Sequence, residues 1–294
     1  PQVVKAVDGV TLQVDEGKTL GIVGESGCGK SSLAKTIIGI EEPTAGTVYI
    51  GDENLTDISR KDKCSLIQMI FQDPYNSLNP RKKAWELIAA PLLIKGEISK
   101  KKAKEDAIHT MKLVGLPKEM ADKYPHMFSG GQRQRIGIAR ALITKPKVII
   151  CDEPVSALDV SIQAQVINLL IKLQRDLKIT YIFIGHDLSV IHYIAHHVAV
   201  MYLGKIVEQG EVNDVFDNPL HPYTKALIKS SPNIETDESI EELDIIEGEL
   251  PSPLSPPKGC HFHGRCKEKI SECEYMYPNE FLIEKKRVKC HLFS

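Results

Sequence analysis

The chain has 294 residues, 42% hydrophobic and 26% charged, with a formal net charge of −2. That balance suits one large globular domain or two ordinary ones, and it sets aside a nucleic-acid binder, which carries a basic excess. The longest apolar region, Tyr181 to Leu203, holds Asp187 and four histidines, groups too costly for a bilayer interior; with no secretory signal visible, a cytosolic protein is expected.

In chain order, Leu20 to Val23 is the first of three short runs that are apolar throughout or nearly so. Val148 to Cys151 and Tyr181 to Ile184 are the others. Runs without alternation suit strands buried on both faces of a parallel sheet, and the helical patterns between them make the class α/β. The first run leads into Gly24-Glu25-Ser26-Gly27, the second into Asp152-Glu153-Pro154, the third into Gly185-His186-Asp187. Polar groups thus follow the carboxyl ends of three strands, where open parallel sheets bind ligands.

GESGCGKS, Gly24 to Ser31, fits G-x-x-x-x-G-K-S/T between a strand and a helical pattern running from Ser32 to Ile38. Gly24, Gly27 and Gly29 let backbone N–H groups turn inward around phosphate oxygens, and the following helix points its positive end at them. Glu25, Ser26 and Cys28 complete the loop, with Cys28 as a small spacer whose alkylation would block ATP. Lys30 can reach the terminal phosphates and Ser31 can ligate Mg²⁺.

Ile67 to Phe71 is apolar, and Gln72 follows it at the head of a mostly helical insert, Asp73 to Ile143. Gln72 is a candidate contact for Mg²⁺ or an attacking water. Glu97 to Asp106 is charge-dense and reads as a solvated helix face. In FSGGQRQRIGIARAL, Phe128 to Leu142, Ile136, Ala139, Leu142 and Ile143 recur at helical spacing. Ser129, Gly130 and Gly131 before Gln132 make a second anion-binding helix start. One ATP does not need two such starts from one subunit, so this one is expected to close over ATP held by another subunit. Asp152 is expected to hold Mg²⁺, Glu153 to orient and deprotonate the attacking water, and His186 to touch the γ-phosphate.

After about Gly210 the pattern weakens. Thr236 to Leu250 is acidic, and PSPLSPPKG is a proline-rich linker. Four of the seven cysteines, Cys260, Cys266, Cys273 and Cys290, crowd beyond it with spacing C-x5-C-x6-C-x16-C. In a reducing compartment such a cluster favours metal over disulfide. Four thiolates suit a 4Fe–4S cluster, and the spacing is poor for structural zinc. His261, His263 and His291 nearby keep zinc open, and a tail without metal is the third reading.

GESGCGKS, Gln72, FSGGQ, CDEP, SALD and His186, in this order and spacing, resemble the ATP-binding-cassette ATPases over nearly the whole chain. The resemblance implies a P-loop, RecA-like core with an inserted α-helical subdomain and a small cysteine-rich C-terminal extension. The expected boundaries are 1–72 and 144–212 for the core, 73–143 for the helical subdomain and 213–294 for the extension. It implies that Ser129, Gly131 and Gln132 belong to the signature motif and that Ala157, Leu158 and Asp159 form a loop crossing a dimer interface. Phe128 replaces a more usual leucine, and Pro1 to Asp8 hold no aromatic to stack an adenine.

FQDPYNSLNPRKK, CDEPVSALDVSIQAQV, NPLHPYTKAL and GELPSPLSPPKGC look like the dipeptide and oligopeptide importers, most of all the second of their two ATPase subunits. That implies a heterodimeric ATPase pair beneath two membrane permeases, served indirectly by an extracellular solute-binding protein. The chain would sit peripherally at the cytoplasmic face of the membrane, with ATP, Mg²⁺ and the 4Fe–4S cluster as cofactors and no nucleic acid. Similar tails in that family are associated with such a cluster. A nickel or glutathione importer, or a subunit that mainly binds ATP, are the alternatives.

Overall fold

The computed structural model describes residues 4–73, 77–96, 98–230 and 248–294. In chain order, β1 (Thr19–Val23) and α1 (Lys30–Ile38) come first, then the small hairpin β2 (Tyr49–Ile50) and β3 (Glu53–Asn54). Next stand α2 (Arg60–Leu66) and β4 (Ile67–Ile70), and then the helices α3 (Ala84–Lys95), α4 (Lys100–Leu113) and α5 (Gly130–Leu142). β5 (Val148–Asp152), α6 (Val160–Leu177), β6 (Thr180–Ile184) and α7 (Leu188–Ile194) follow. β7 (His197–Tyr202), β8 (Lys205–Glu211), α8 (Val212–Asp217) and α9 (Pro222–Lys229) precede a short final hairpin, β9 (Phe281–Ile283) and β10 (Lys286–Val288). The chain divides into two compact units. One comprises Pro1–Val14, Thr19–Leu33 and Phe183–Ser294; the other comprises Asp15–Lys18 and Ala34–Ile182.

In the first unit β1 is buried at every residue and pairs in parallel with β7, Leu20 opposite His197 and Val23 opposite Val200. β7 turns into β8 through Leu203 and Gly204, both at positive φ (42° and 78°), the turn geometry that matches the twist of an antiparallel hairpin. β8 then pairs antiparallel with β10, and β10 with β9. The sheet of this unit is mixed: β7–β8 and β9–β10 are each joined by a two-residue turn, too short for a parallel crossover.

In the second unit β4 and β5 pair in parallel, Ile67 opposite Val148 through Ile70 opposite Cys151. β5 and β6 are buried throughout. The helical insert packs α3, α4 and α5 against one another. On α4, Ala103, Ala107, Thr110 and Met111 form the buried stripe while its lysines face water, which accounts for the charge-dense stretch; Glu97 lies outside the described residues. Most of the acidic stretch begun at Thr236 lies outside them too. Among the described residues no helix is long and apolar enough to cross a membrane.

Candidate active site

In the first unit, β1 ends at Val23 and the loop Gly24 to Gly29 runs into α1, which begins at Lys30, two residues earlier than its sequence pattern indicates. Gly24 and Gly29 lie at φ 153° and 110°. A Cβ at Gly24 would stand 2.2 Å from the Met201 carbonyl oxygen, and one at Gly29 would stand 2.1 Å from that of Ala6. No other residue fits either place. The Lys30 ammonium is buried and donates to the carbonyls of Gly24 (2.7 Å) and Glu25 (2.9 Å). Ser31 is exposed on the first turn of α1, with Ser32 half-buried beside it; Ser26 and Gly27 are exposed. Cys28 is buried, and burial pushes its thiol up, so it is a poor target for alkylation. Its carbonyl accepts from the Gly204 N–H at 2.8 Å, which ties the loop to the β7–β8 turn.

Two further residues hold this loop, and the sequence reading assigned them no role. The Glu25 N–H donates to the Tyr223 hydroxyl at 2.9 Å. The Glu25 carboxylate takes both arms of the Arg265 guanidinium, at 2.8 and 3.1 Å. Tyr223 belongs to the quoted stretch NPLHPYTKAL. There His221 caps α9 by accepting the Tyr223 N–H, and Pro222 takes the first helical position, where its missing donor costs nothing. His186 is exposed just past β6, beside Asp187, whose carboxylate caps α7 through the N–H groups of Ser189 and Val190.

In the second unit, Asp152 is buried as the last residue of β5. Glu153 follows at φ 44°, a left-handed conformation that strains a non-glycine residue. Its carboxylate accepts from the Gln72 amide at 2.8 Å, so the residue past β4 and the residue past β5 meet. α5 supports both. The buried Gln134 amide donates to the Pro154 carbonyl at 2.6 Å, and Arg140 donates to the Ser77 carbonyl at 2.7 Å with its guanidinium over the Phe71 ring.

At the head of α5, Ser129 and Gln132 form a reciprocal capping box. The Ser129 hydroxyl accepts the Gln132 N–H at 3.3 Å, and the Gln132 side chain accepts the Ser129 N–H at 3.0 Å. Gly131 has a second, packing reason, which Gly130, at an ordinary contact distance, does not share. A Cβ at Gly131 would lie 2.6 Å from Ile162 Cγ2, and one at Gly130 would lie 3.4 Å from Leu158. Ile162 stands in the first turn of α6, which Asp159 precedes as its N-terminal flank without a side-chain cap bond. Ser156, Ala157, Asp159 and Val160 are exposed, Val160 to 81%.

The tail belongs to the first unit. Cys260, Cys273 and Cys290 are buried and Cys266 half-buried. The Cys260 N–H donates to the Cys273 carbonyl at 2.8 Å. Burial, then the neighbouring thiols, push Cys260 up to about 12 and Cys266 up to about 11. Among the described residues, however, no three His, Cys, Asp or Glu side chains stand close enough to hold a single metal ion.

The family model for ABC transporters matches residues 7–156, and one described as the oligopeptide/dipeptide transporter C-terminal region matches residues 207–273. The chain is 50% identical over 280 residues to the dipeptide transport ATP-binding protein DppF of Escherichia coli (strain K12), covering 94% of this chain and 84% of that one. It is 53% identical over 284 residues to the oligopeptide transport ATP-binding protein OppF of Salmonella typhimurium, covering 95% and 85%. Among solved structures it is similar to a dimeric ATP-binding cassette in a post-hydrolysis state bound to ADP and Pi. There the TM-score is 0.63 and the identity 30%, over 70% of this chain and 90% of that one.

Proposed function

Since the chain belongs to the ABC transporter family, we propose that it is the ATP-hydrolysing subunit that energises dipeptide or oligopeptide import through a membrane permease. The observation that carries the hydrolytic part is the Gln72–Glu153 bond at the end of buried β5. A neutral amide fixes this carboxylate without neutralising it, so Glu153 keeps the capacity to take a proton from water. In this reading Gly24 to Gly29 cradle the phosphates, with Ser32 behind them on α1. Lys30 exchanges its loop carbonyls for phosphate oxygens, and His186 contacts the γ-phosphate. Ser31, Gln72 and Asp152 offer hydroxyl, amide and carboxylate oxygens, the hard donors magnesium takes. When bound, magnesium offsets phosphate charge.

Ser129, Gly130, Gly131 and Gln132, with Asp159, face the ATP of a second cassette. The bare helix start and the exposed Val160 beside Asp159 support this. That second cassette is a different ABC ATPase subunit, and the pair works beneath two permeases at the cytoplasmic face, with a solute-binding protein acting from outside. Closure is driven by ATP because the signature helix touches nucleotide only in the closed pair. Cys260, Cys266, Cys273 and Cys290 hold a 4Fe–4S cluster that staples the tail, which has little core of its own.

The test is ATP turnover of the complex assembled with its permeases, with and without a peptide-loaded binding protein. Peptide is expected to stimulate turnover where nickel and glutathione do not; stimulation by either of those instead refutes peptide import. Glu153→Gln in the same complex is expected to lower turnover by roughly 10² to 10⁴ while nucleotide still binds. Wild-type turnover in that variant refutes Glu153 as the base.

A further inference from the structure

Glu25, the second residue of the phosphate loop, is held at both ends by residues far along the chain. Its N–H reaches the Tyr223 hydroxyl, 198 positions on. Its carboxylate is forked by Arg265, 240 positions on. This is a built arrangement. The Arg265 side chain is 8% exposed and that of Glu25 22%. The guanidinium also donates to the Tyr202 hydroxyl at 3.4 Å and lies over its ring at 6.0 Å. Tyr202, Tyr223 and Phe262 form an aromatic cluster beneath it, with ring centroids 4.7 to 5.3 Å apart. Leu250 comes within 3.9 Å of where a Cβ would stand on Gly27. Tail residues thus bond the phosphate loop at Glu25 and come near it at Gly27.

The chemistry of the pair explains why an acid in a phosphate loop is tolerable. An unpaired carboxylate there would repel the phosphates and could turn to compete for Lys30. A bidentate guanidinium removes both problems, and only arginine supplies that fork. Arg265 ends the short turn His263–Arg265, directly before Cys266 and five residues after Cys260. Whatever orders the cysteine segment therefore orders the group that pairs with Glu25.

We propose that Arg265 is a positioning residue of the phosphate loop, neutralising and orienting Glu25, so that nucleotide affinity depends on the folded cysteine segment of the tail. The proposal goes beyond the ATPase function and rests on reading Gly24 to Ser31 as the phosphate site. It takes nothing from the identity of any metal in the tail.

The experiment measures the Kd for MgADP, by fluorescence of a labelled ADP, on the full chain as wild type, Arg265→Met, Glu25→Gln and the double variant. Melting without nucleotide is recorded in parallel. Arg265→Met is expected to weaken binding about tenfold, because it strips the counter-charge from Glu25. Adding Glu25→Gln is expected to recover most of that loss, since the repelling charge goes with it. A merely structural role for Arg265 gives no such rescue. Arg265→Lys, which keeps the charge and loses the fork, is expected to fall between wild type and Arg265→Met. It carries the same rescue test if the methionine variant does not fold. Wild-type affinity in the Arg265 variants, or a loss that Glu25→Gln leaves in place, overturns the proposal. A wild-type chain that does not bind MgADP overturns the phosphate-site reading and this proposal with it.

Discussion

Gly131→Ala tests the packing at the head of α5. The added methyl would lie 2.6 Å from Ile162 Cγ2, where apolar carbons in contact sit about 3.5–4.0 Å apart. About 1 Å of relief is needed. It cannot come cheaply from Ile162, whose clashing carbon is a branch on Cβ with a stiff χ1 in a helix. Overpacking of this size costs about 1–3 kcal/mol. Alanine returns up to about 1 kcal/mol over glycine in a helix, and less in a first turn. The expected net loss is about 1–2 kcal/mol, or a Tm about 2–3 °C lower for a chain of this length. Ile162→Ala removes the clashing carbon, so in that background Gly131→Ala should cost nothing or stabilise slightly. The assay is thermal or urea unfolding of the four proteins of the cycle. Equal costs of Gly131→Ala in both backgrounds would refute the contact and leave the glycine with no packing reason.

Burial holds the His221 imidazole down to about 3 from an ordinary 6.5, so the unfolded chain binds the extra proton between those values. Stability from this group is fully present above pH 6.5 and is lost as the pH falls, by about 2 kcal/mol at pH 5. Glu208, pushed up by its own burial, works in the opposite sense and lessens the slope. His221→Asn should therefore lose less Tm between pH 7 and 5 than wild type; parallel losses would refute the assignment. Cys260→Ser should abolish the iron and acid-labile sulfide of protein purified without oxygen, where wild type should carry about four irons and absorb broadly near 400 nm. Zinc at one per chain, or no metal, in the wild type would overturn the cluster.

The buried strands were legible because each is apolar at nearly every position and bounded by glycine or acid. Val148 to Cys151 became β5 with Asp152 added. The antiparallel partner of β7 was not legible, although β7 itself runs parallel to β1. HVAVMY is as uniformly apolar as a parallel strand, and what decides the pairing of β8 with β7 is the two-residue Leu203–Gly204 turn, which carries only one glycine. The last hairpin hid for another reason: its strands are three residues each and turn through Glu284 and Lys285 at positive φ, without a glycine. Gln72 and Glu153 could be suspected of meeting, since both follow strands that end at one level. Tyr223 and Arg265 could not be tied to Glu25, because no periodic pattern spans such separations. The glycines of FSGG pointed to an anion, while Ile162, the neighbour that also demands Gly131, lies some thirty residues away and shows only in three dimensions.

The pairing of β10 with β8 has a consequence for any shortened form of the chain. β10 and the Lys289 N–H, which donates to the Val207 carbonyl at 2.8 Å, cover a row of backbone donors and acceptors along β8. Beyond them β9 ends the sheet with three residues, in a hairpin that carries Glu284, Lys285 and Arg287, the short and charged kind of edge that resists adding another strand. Cutting the chain after α9 would do more than remove four cysteines. It would strip this cover and leave Ile206 to Glu208 as an open edge, ready to pair with the same strand of another copy. Such a truncation is expected to aggregate even where the rest of the fold survives.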